Sequence, residues 1–178
     1  MGSDIEPRDT TKIVIVGAGF GGVRAAQDIA KGIQARKRHD VTITVIDHNP
    51  YHTYTPLLYK LAALPPEKGA PAEAAIAYPL SELFAGTGIR HIEDSVKELD
   101  LIEGDVHLAR GAEVEADYLI LAPGSETNYF GIPGLEEHSL PLKTLDNAKM
   151  IRGRLMALPP GAHVVIGGGG PSGIEMAA

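Results

Sequence analysis

Short apolar runs alternate with glycine-rich turns along the first third of the chain, and they predict its first elements. Residues 12–16 are almost wholly apolar and β-branched, which is typical of a buried parallel strand. Glycines follow at once, and residues 23–31 then have the pattern of an amphipathic helix. A second β-branched run covers Val41–Asp47. The order strand, helix, strand predicts a βαβ unit with a right-handed crossover.

The middle of the chain has a different pattern. Residues 72–85 have a helical composition, although they contain a proline. Residues 89–121 alternate polar and apolar positions, with turn signals at residues 103–105 and 110–111, which predicts short antiparallel strands. The apolar residues 118–122, at the end of this stretch, predict another buried strand.

The last third is predicted to contain a helix, a break and a strand. Residues 144–158 are predicted to be helical, with Thr144 as the N-cap. The Pro-Pro-Gly sequence at residues 159–161 indicates a domain junction, and residues 162–166 are predicted to form a new strand. We therefore expect three parts: a disordered tail (residues 1–11), a first domain (residues 12–158) and the beginning of a second domain (residues 159–178).

Composition narrows the chemistry that these elements can carry. The 178 residues have a formal net charge of −7, which gives no electrostatic drive toward nucleic acid, so no nucleic-acid partner is expected. The chain has no cysteine, which rules out thiolate nucleophiles, disulfide exchange and cysteine-ligated metal sites formed by these residues. No apolar run approaches the roughly 18–20 residues that a membrane-spanning helix needs.

Residues 17–22 read G-A-G-F-G-G and match the G-x-G-x-x-G fingerprint of dinucleotide-binding folds. Gly17 permits the tight turn out of the strand, Gly19 lets a pyrophosphate approach the backbone, and Gly22 allows close packing of helix on sheet. Asp47 ends the next strand, where an acid can accept hydrogen bonds from ribose hydroxyls. The alternative is a structural glycine turn that binds nothing, and the full strand–glycine–helix–strand–acid context disfavours it.

Residues 168–173 read G-G-G-P-S-G and form a second fingerprint after a second apolar run. Two such loops imply two bound nucleotides, and two electron carriers on one protein suggest hydride transfer between them. A purely structural turn is a stronger alternative here, because these 178 residues do not include a following strand and acid that would confirm the loop.

Around these loops the sequence resembles the two-dinucleotide-domain flavoproteins of the pyridine-nucleotide-dependent oxidoreductase family, and more narrowly the type II NADH:quinone oxidoreductases. Four segments carry the resemblance: residues 13–26, 45–63, 118–148 and 164–177. The Tyr-His-x-x-Thr-Pro-Leu-Leu-Tyr stretch within the second segment and the Gly-Ser-Glu-Thr-Asn-Tyr-Phe-Gly-Ile-Pro-Gly stretch within the third are much more specific than the glycine loops. The resemblance implies an α/β fold of the Rossmann-like, doubly wound FAD/NAD(P)-binding type. We expect a parallel sheet, a small antiparallel β-meander and a truncated second Rossmann domain.

The resemblance also implies FAD at the first loop and NADH, or NADPH, at the second. The residues that it assigns to FAD are Gly17, Gly19, Phe20, Gly21, Gly22, Asp47, His48, Thr55, Pro56, Leu57, Val96, Ala122 and Gly124. Those that it assigns to the NADH pyrophosphate are Gly168, Gly170, Pro171, Ser172 and Gly173. Glu175 takes the family's acidic position beside nicotinamide and flavin, where it is the candidate catalytic residue. A first-turn glutamate that only favours the helix dipole is the alternative.

By the same resemblance, residues 12–158 form the N-terminal part of an FAD-binding domain, and residues 159–178 begin an NAD(P)H-binding domain. The chain then corresponds to an N-terminal fragment, inactive by itself and with weak retention of FAD. The full-length enzyme is expected to use a quinone or another small electron acceptor and to form a homodimer. It is expected to be cytoplasmic, with peripheral attachment to the inner face of the cell membrane.

Some features depart from the family pattern or leave alternatives open. Pro123 replaces the family's threonine, which removes a hydroxyl and a backbone N–H.

The absence of cysteine argues against disulfide reductases and disfavours sulfide:quinone oxidoreductases. A nucleotide-binding module without turnover remains open. His48 and His52 are four residues apart in a loop, so no metal site is predicted, and His52 is expected to line the flavin pocket.

Overall fold

A computed structural model describes residues 10–178, without the side chain of Pro66. Most of the tail predicted for residues 1–11 lies outside the described residues, and Thr11 is the first residue of the first strand. The strands are β1 (Thr11–Val16), β2 (Val41–Asp47), β3 (Tyr51–Thr53), β4 (Ala77–Pro79), β5 (Ile89–Glu93), β6 (Val96–Asp100), β7 (Asp105–Leu108), β8 (Glu113–Glu115) and β9 (Tyr118–Leu121). The helices are α1 (Phe20–Ala35), α2 (Leu58–Ala63), α3 (Gly69–Ala74), α4 (Leu80–Leu83), α5 (Leu135–His138), α6 (Leu145–Met156) and α7 (Pro171–Ala177).

The chain forms two compact units. The first unit runs to His52 and resumes from Pro79 to Gly124, and the second contains Thr53–Tyr78 and Ser125–Ala178. This division follows packing within the chain. The assignment of residues 12–158 and 159–178 to two cofactor domains stays a prediction.

The first unit has three layers around a parallel sheet of strand order β5-β2-β1-β9. Side chains alternate between the two faces of the sheet, so Ile15 and Val45 pack under α1 while Val14 and Ile46 pack on the opposite side. That opposite side is covered by the antiparallel meander β6-β7-β8, which contributes Val106 to the core. The predicted βαβ unit, parallel sheet and small meander are confirmed.

Two strands of the predicted antiparallel region belong to the parallel sheet instead. β5 pairs in parallel with β2, and β9 pairs in parallel with β1, so the expectation of antiparallel strands throughout residues 89–121 was wrong at both ends. Each is an edge strand of the sheet and contributes to the cores on both faces, with Ile89 and Ile120 on the α1 side and Ile92 and Leu119 on the opposite side. The direction of such a strand is set by the neighbour with which it pairs and not by its own pattern of polar and apolar residues. The prediction that β9 is buried was also wrong, because Tyr118 is 64% and Leu121 55% exposed.

In the second unit α2 packs on α6. Leu58 and Leu61 of α2 are buried there, as is Leu145 of α6. Thr144 caps α6 as predicted: its Oγ1 accepts a hydrogen bond from the Asn147 N–H at 3.1 Å, and the Asn147 side chain accepts one from the Thr144 N–H. This reciprocal capping box satisfies two backbone donors at the helix start.

Two predicted elements are wrong. Residues 72–85 do not form one helix: α3 ends at Ala74, and Pro79 has extended backbone angles and begins α4 as its N-cap. Proline lacks the N–H of a helix interior and pushes its predecessor toward extended angles, so the helical pattern could not continue through it. Residues 162–166 form no strand, and Val165 is 92% exposed. An apolar run becomes a strand only when a neighbouring strand accepts its hydrogen bonds.

Candidate functional site

The first glycine loop leaves the carboxyl end of β1 in a left-handed turn. Gly17 has a φ of +99°, and its N–H donates to the Ile46 carbonyl at 2.8 Å. An ideal Cβ placed on Gly17 would come within 3.0 Å of the carbonyl oxygen of Ala122, which follows β9. The turn therefore requires glycine for its conformation and for its closeness to the neighbouring strand.

The loop ends in the first turn of α1, where the remaining glycines have different surroundings. A Cβ on Gly22 would come within 3.0 Å of the Gly17 carbonyl oxygen, so the helix lies tightly against the loop. Gly19 is the N-cap of α1, and a Cβ placed there would meet nothing within 4 Å. The first N–H groups of a helix have no partner within the helix and favour an anion. Open space at Gly19 next to these donors fits a dinucleotide pyrophosphate.

Asp47 ends β2 and binds the loop directly. Its Oδ2 accepts a hydrogen bond from the Ala18 N–H at 2.7 Å, and its Oδ1 accepts one from the Asn49 N–H at 2.8 Å. The side chain is 15% exposed. The Asn49 side-chain amide also donates to Oδ1, at 3.4 Å. A carboxylate offers about four lone-pair sites, so Asp47 retains acceptor capacity for a ribose hydroxyl beyond these three bonds. Asp47, predicted to bind the ribose, thus also anchors the first glycine loop to the sheet.

The remaining predicted ligands of the first unit lie near Asp47. His48 is mostly exposed, with its Nδ1 3.6 Å from Asp47 Oδ1 and its Nε2 2.9 Å from Asn49 Nδ2. The Asp94 N–H donates to the Asp47 carbonyl at 3.1 Å, so Val96, two residues later, starts β6 close to the end of β2. Val96 is one of the residues that the family resemblance assigns to FAD.

Ala122 and Gly124 complete this edge of the sheet. The Ala122 N–H donates to the Val16 carbonyl at 2.8 Å and extends the β9–β1 ladder, and Gly124 has a φ of +78°. The first unit therefore brings together, at or beside the carboxyl ends of its parallel strands, Gly17, Gly19, Phe20, Gly21, Gly22, Asp47, His48, Val96, Ala122 and Gly124. In open α/β sheets this edge is where ligands bind.

The second glycine loop repeats the geometry of the first. Gly168 has a φ of +126°. A Cβ on Gly173 would come within 3.0 Å of the Gly168 carbonyl oxygen, just as a Cβ on Gly22 would come within 3.0 Å of the Gly17 carbonyl oxygen. The position five residues after the turn glycine therefore excludes a side chain in both loops. The same backbone turn therefore occurs twice, once after strand β1 and once after residues 162–166, which form no strand.

The agreement extends to the flanking positions. A Cβ at the last glycine would lie 3.5 Å from Ile15 Cγ2 in the first loop and 3.6 Å from Ile166 Cγ2 in the second. The N-cap glycines, Gly19 and Gly170, have φ of −70° and −73°. The second loop therefore has the conformation of the first loop even though residues 162–166 form no strand.

The second unit contains the other predicted ligands. Thr55–Leu57 is a 3-10 turn that leads into α2, and α2 lies against both α6 and α7. Pro171 and Ser172 begin α7, and Glu175 is exposed on that helix. Thr55, Pro56 and Leu57, which the family resemblance assigns to FAD, thus share a unit with the second loop.

Sequence reasoning missed the role of two residues near the first loop. His52 is 8% exposed, its Nδ1 lies 2.9 Å from the Ala18 carbonyl oxygen, and its ring meets the Phe20 ring edge-on with centroids 4.8 Å apart. No sequence pattern indicates that His52 contacts Ala18, because these residues are 34 positions apart. The bond from the Asn49 N–H to Asp47 is an Asx turn, which the Asp-x-Asn spacing could have indicated.

The part of the chain that the structure describes has neither a cluster of metal-ligating side chains nor a helix suited to span a membrane. Residues 10–178 contain no group of three or more His, Asp or Glu side chains placed to hold a metal ion. Within the same residues, no helix has the length and apolar character needed to cross a membrane.

Comparison with known proteins gives a family and relatives that match nearly all of the chain. Residues 11–178 match the family model described as pyridine nucleotide-disulphide oxidoreductase. The chain is 32% identical over 184 residues to the type II NADH:quinone oxidoreductase NdhA of Mycobacterium tuberculosis, covering 93% of this chain and 36% of that protein.

Solved structures agree with this match. NDH2 from Plasmodium falciparum in complex with RYL-552 superimposes with a TM-score of 0.72 at 25% identity, over 94% of this chain and 36% of that one. The sulfide:quinone oxidoreductase from the hyperthermophilic bacterium Aquifex aeolicus superimposes with a TM-score of 0.68 at 27% identity, over 82% of this chain and 32% of that one. The chain spans about a third of the length of these relatives.

Proposed function

The chain belongs to the pyridine nucleotide-disulphide oxidoreductase family, and on that basis we propose that it is part of an FAD-dependent NADH:quinone oxidoreductase. When bound, the flavin supplies the redox chemistry: it accepts hydride from NADH and passes electrons on to a quinone. The observation that carries the proposal is the repetition of one phosphate-loop geometry at Gly17–Gly22 and at Gly168–Gly173. Two such loops on one chain are expected for a protein that holds two dinucleotides.

The first loop supplies the FAD cradle in this proposal. Gly19 and the first turn of α1 present N–H groups to the pyrophosphate, while Asp47 accepts from the adenosine ribose. Ala122 and Gly124 close the turn beside the loop, and Val96 offers its backbone to the adenine edge. Thr55, Pro56 and Leu57 are proposed to lie along the flavin end of the cofactor, as the family resemblance implies.

The second loop supplies the NADH site. Gly168, Gly170 and Gly173 shape the turn, and Pro171 and Ser172 open α7, whose first N–H groups would face the pyrophosphate. Pro171 at the first helical position loses no helix hydrogen bond, because that N–H has no partner within the helix. Glu175 is proposed as the acid beside nicotinamide and flavin. Its exposure in this chain leaves it accessible to a ligand.

The absence of cysteine selects a branch within the family. Residues 1–178 contain none, so they cannot form the redox disulfide of a disulfide reductase. The relative from Mycobacterium tuberculosis that covers 93% of the chain is a type II NADH:quinone oxidoreductase, which supports NADH as donor and quinone as acceptor. A sulfide:quinone oxidoreductase is the second candidate, because the Aquifex aeolicus enzyme has the same fold at a TM-score of 0.68.

Reduction of the bound flavin tests the proposal and separates the candidates. We expect the purified full-length protein to be yellow, to bleach with NADH in the absence of oxygen, and to recover its colour when a soluble quinone is added. Sulfide in place of NADH is the matched control and should leave the colour unchanged. Bleaching by sulfide alone would support the second candidate, and a colourless protein without flavin absorbance would contradict both and leave a nucleotide-binding module without turnover.

Further properties of the full-length protein follow from the family resemblance. We propose a homodimer attached peripherally to the inner face of the cell membrane. Light scattering of the purified protein tests the dimer, and sedimentation with lipid vesicles tests the attachment. A monomer that remains in the supernatant would contradict both.

A further inference from the structure

Both polar backbone groups of Ala18 are held by side chains. Its N–H donates to Asp47 Oδ2 at 2.7 Å, and its carbonyl oxygen lies 2.9 Å from His52 Nδ1. Ala18 is 2% and His52 8% exposed, so both bonds are shielded from water. A carbonyl oxygen can only accept, and the proton between these atoms therefore resides on His52 Nδ1. The contact selects one tautomer of the ring.

The contact with His52 determines the direction of a loop donor. The Ala18 carbonyl and the Gly19 N–H belong to one planar, trans peptide unit, so they point in opposite directions. With the carbonyl turned toward the buried His52 ring, the Gly19 N–H points away from it, out of the core. Gly19 is the N-cap of α1 and faces open space. Its N–H is thus oriented by the side chain of His52, 33 positions further along the chain.

The preceding peptide is fixed in the same manner. Asp47 holds the Ala18 N–H, so the Gly17 carbonyl in that peptide points the other way, toward the position where Gly22 excludes a Cβ. Successive peptide planes of the loop are therefore anchored by Asp47 and by His52. Phe20 packs edge-on against the His52 ring, which restricts rotation of the imidazole.

We propose that His52 is a positioning residue of the first loop, which orients the Gly19 N–H for a dinucleotide pyrophosphate by holding the Ala18 carbonyl. This inference rests on the proposed function, since it requires a dinucleotide at the first loop. It assigns His52 a role beneath the loop, in addition to the pocket-lining role expected from the sequence. The imidazole acts through Gly19 and needs no contact with the cofactor.

Two variants separate the hydrogen bond from the bulk of the ring. His52→Phe keeps an aromatic ring against Phe20 but has no donor, whereas His52→Asn loses the ring but places a side-chain N–H near the position of Nδ1. With full-length apoprotein, we expect His52→Phe to raise the dissociation constant for FAD about 10-fold, the effect of about one hydrogen bond, and His52→Asn to restore most of it.

Competition by fragments of the cofactor identifies the part of the site that is affected. ADP carries the pyrophosphate and adenosine does not, so His52→Phe should weaken ADP as a competitor of FAD and leave adenosine unchanged. Equal weakening of both ligands would indicate general loosening of the fold and overturn the inference. Nitrogen-15 NMR of the histidine rings in the wild-type protein provides a measurement that needs no variant: a proton on Nδ1 of His52 is expected, and a proton on Nε2 alone would overturn it.

Failure of the inference is distinguishable from failure of the proposed function. Wild-type protein that binds neither FAD nor ADP contradicts the proposed function, and the inference with it. Wild-type protein that binds FAD, together with a His52→Phe variant of equal affinity for FAD and for ADP, overturns only the role of His52.

Discussion

The carbonyl oxygen of Gly17 lies where a side chain on Gly22 would begin, within 3.0 Å of an ideal Cβ. Gly168 and Gly173 have the same relationship in the second loop. In both loops the atom that the added Cβ would meet is a backbone oxygen, so no side-chain rotation can relieve the overlap. The two loops therefore depend on glycine for close packing at their last position and for a left-handed turn at their first, where φ is +99° and +126°.

Gly22→Ala should destabilise the fold. The added methyl overlaps the Gly17 carbonyl and would push α1 away from the sheet, which we expect to cost about 2–3 kcal/mol of unfolding free energy. Urea denaturation followed by circular dichroism measures this change. A variant with wild-type stability would contradict the tight packing of α1 on the loop.

Gly19→Ala is the matched substitution in the same loop and should act differently. Gly19 has a φ of −70° and nothing within 4 Å of an added Cβ, so the apoprotein should change in stability by less than about 1 kcal/mol. The methyl would occupy the space proposed for the pyrophosphate, and the FAD content of the purified full-length protein should fall sharply. Normal FAD content in a Gly19→Ala protein would place the pyrophosphate elsewhere.

Gly173→Ala should separate the two proposed nucleotide sites. Overlap with the Gly168 carbonyl should distort the second loop, so we expect full-length protein that retains its flavin but is reduced by NADH at least about 10-fold more slowly at low NADH concentration. Anaerobic stopped-flow measurement of flavin bleaching gives this rate, and dithionite reduction is the control for an intact flavin. Unchanged bleaching by NADH would argue against a nicotinamide site at this loop.

Thr144→Ala should remove the capping box of α6. The hydroxyl that accepts from the Asn147 N–H at 3.1 Å is lost, and substitutions of this kind cost about 1 kcal/mol. Thr144→Ser keeps a hydroxyl and is the matched control. Thermal denaturation should rank wild type and Thr144→Ser together, above Thr144→Ala, and equal midpoints for all three would contradict a stabilising cap.

Asp100 should make stability depend on pH in the acid range. Backbone N–H groups of Glu103 and Ile102 donate to its carboxylate, and these bonds lower the pKa of Asp100 from its ordinary value. A lowered folded-state pKa contributes stability above the unfolded value of about 3.9, and that stability is lost as pH falls through the folded-state pKa. Asp100→Asn keeps an acceptor but does not titrate, so its deficit against wild type should be present at neutral pH and shrink as pH falls below about 3.9 toward the lowered folded-state pKa of Asp100.

Urea midpoints measured across this pH range test the effect. Thr144→Ala introduces no titrating group and is the control, since its deficit should stay constant with pH. A deficit of Asp100→Asn that is equally constant would contradict the assigned cause.

Local chemistry decided the elements that the sequence predicted well. β2 runs over Val41–Asp47 as expected, α1 contains the whole predicted helix and extends it at both ends, and Thr144 caps α6. Each depends on interactions between residues close in sequence or on an apolar run buried on both faces. The conformation of the second loop belongs to the same class, because glycines five residues apart produce it without a neighbouring strand.

Tertiary partners decided the rest. The direction of β5 depends on its pairing with β2, in which Ile43 pairs with Ile89, 46 positions later in the chain. In the same way, β9 takes its parallel direction from β1. Residues 162–166 lack a neighbouring strand and stay irregular despite their apolar sequence. The contact of His52 with Ala18 joins β3 to the first glycine loop, and no sequence spacing relates these two segments. The left-handed turns of the two glycine loops follow from the local sequence, because glycine conformation is a local property. Strand direction and the anchoring of the first loop arise only where distant segments exchange hydrogen bonds.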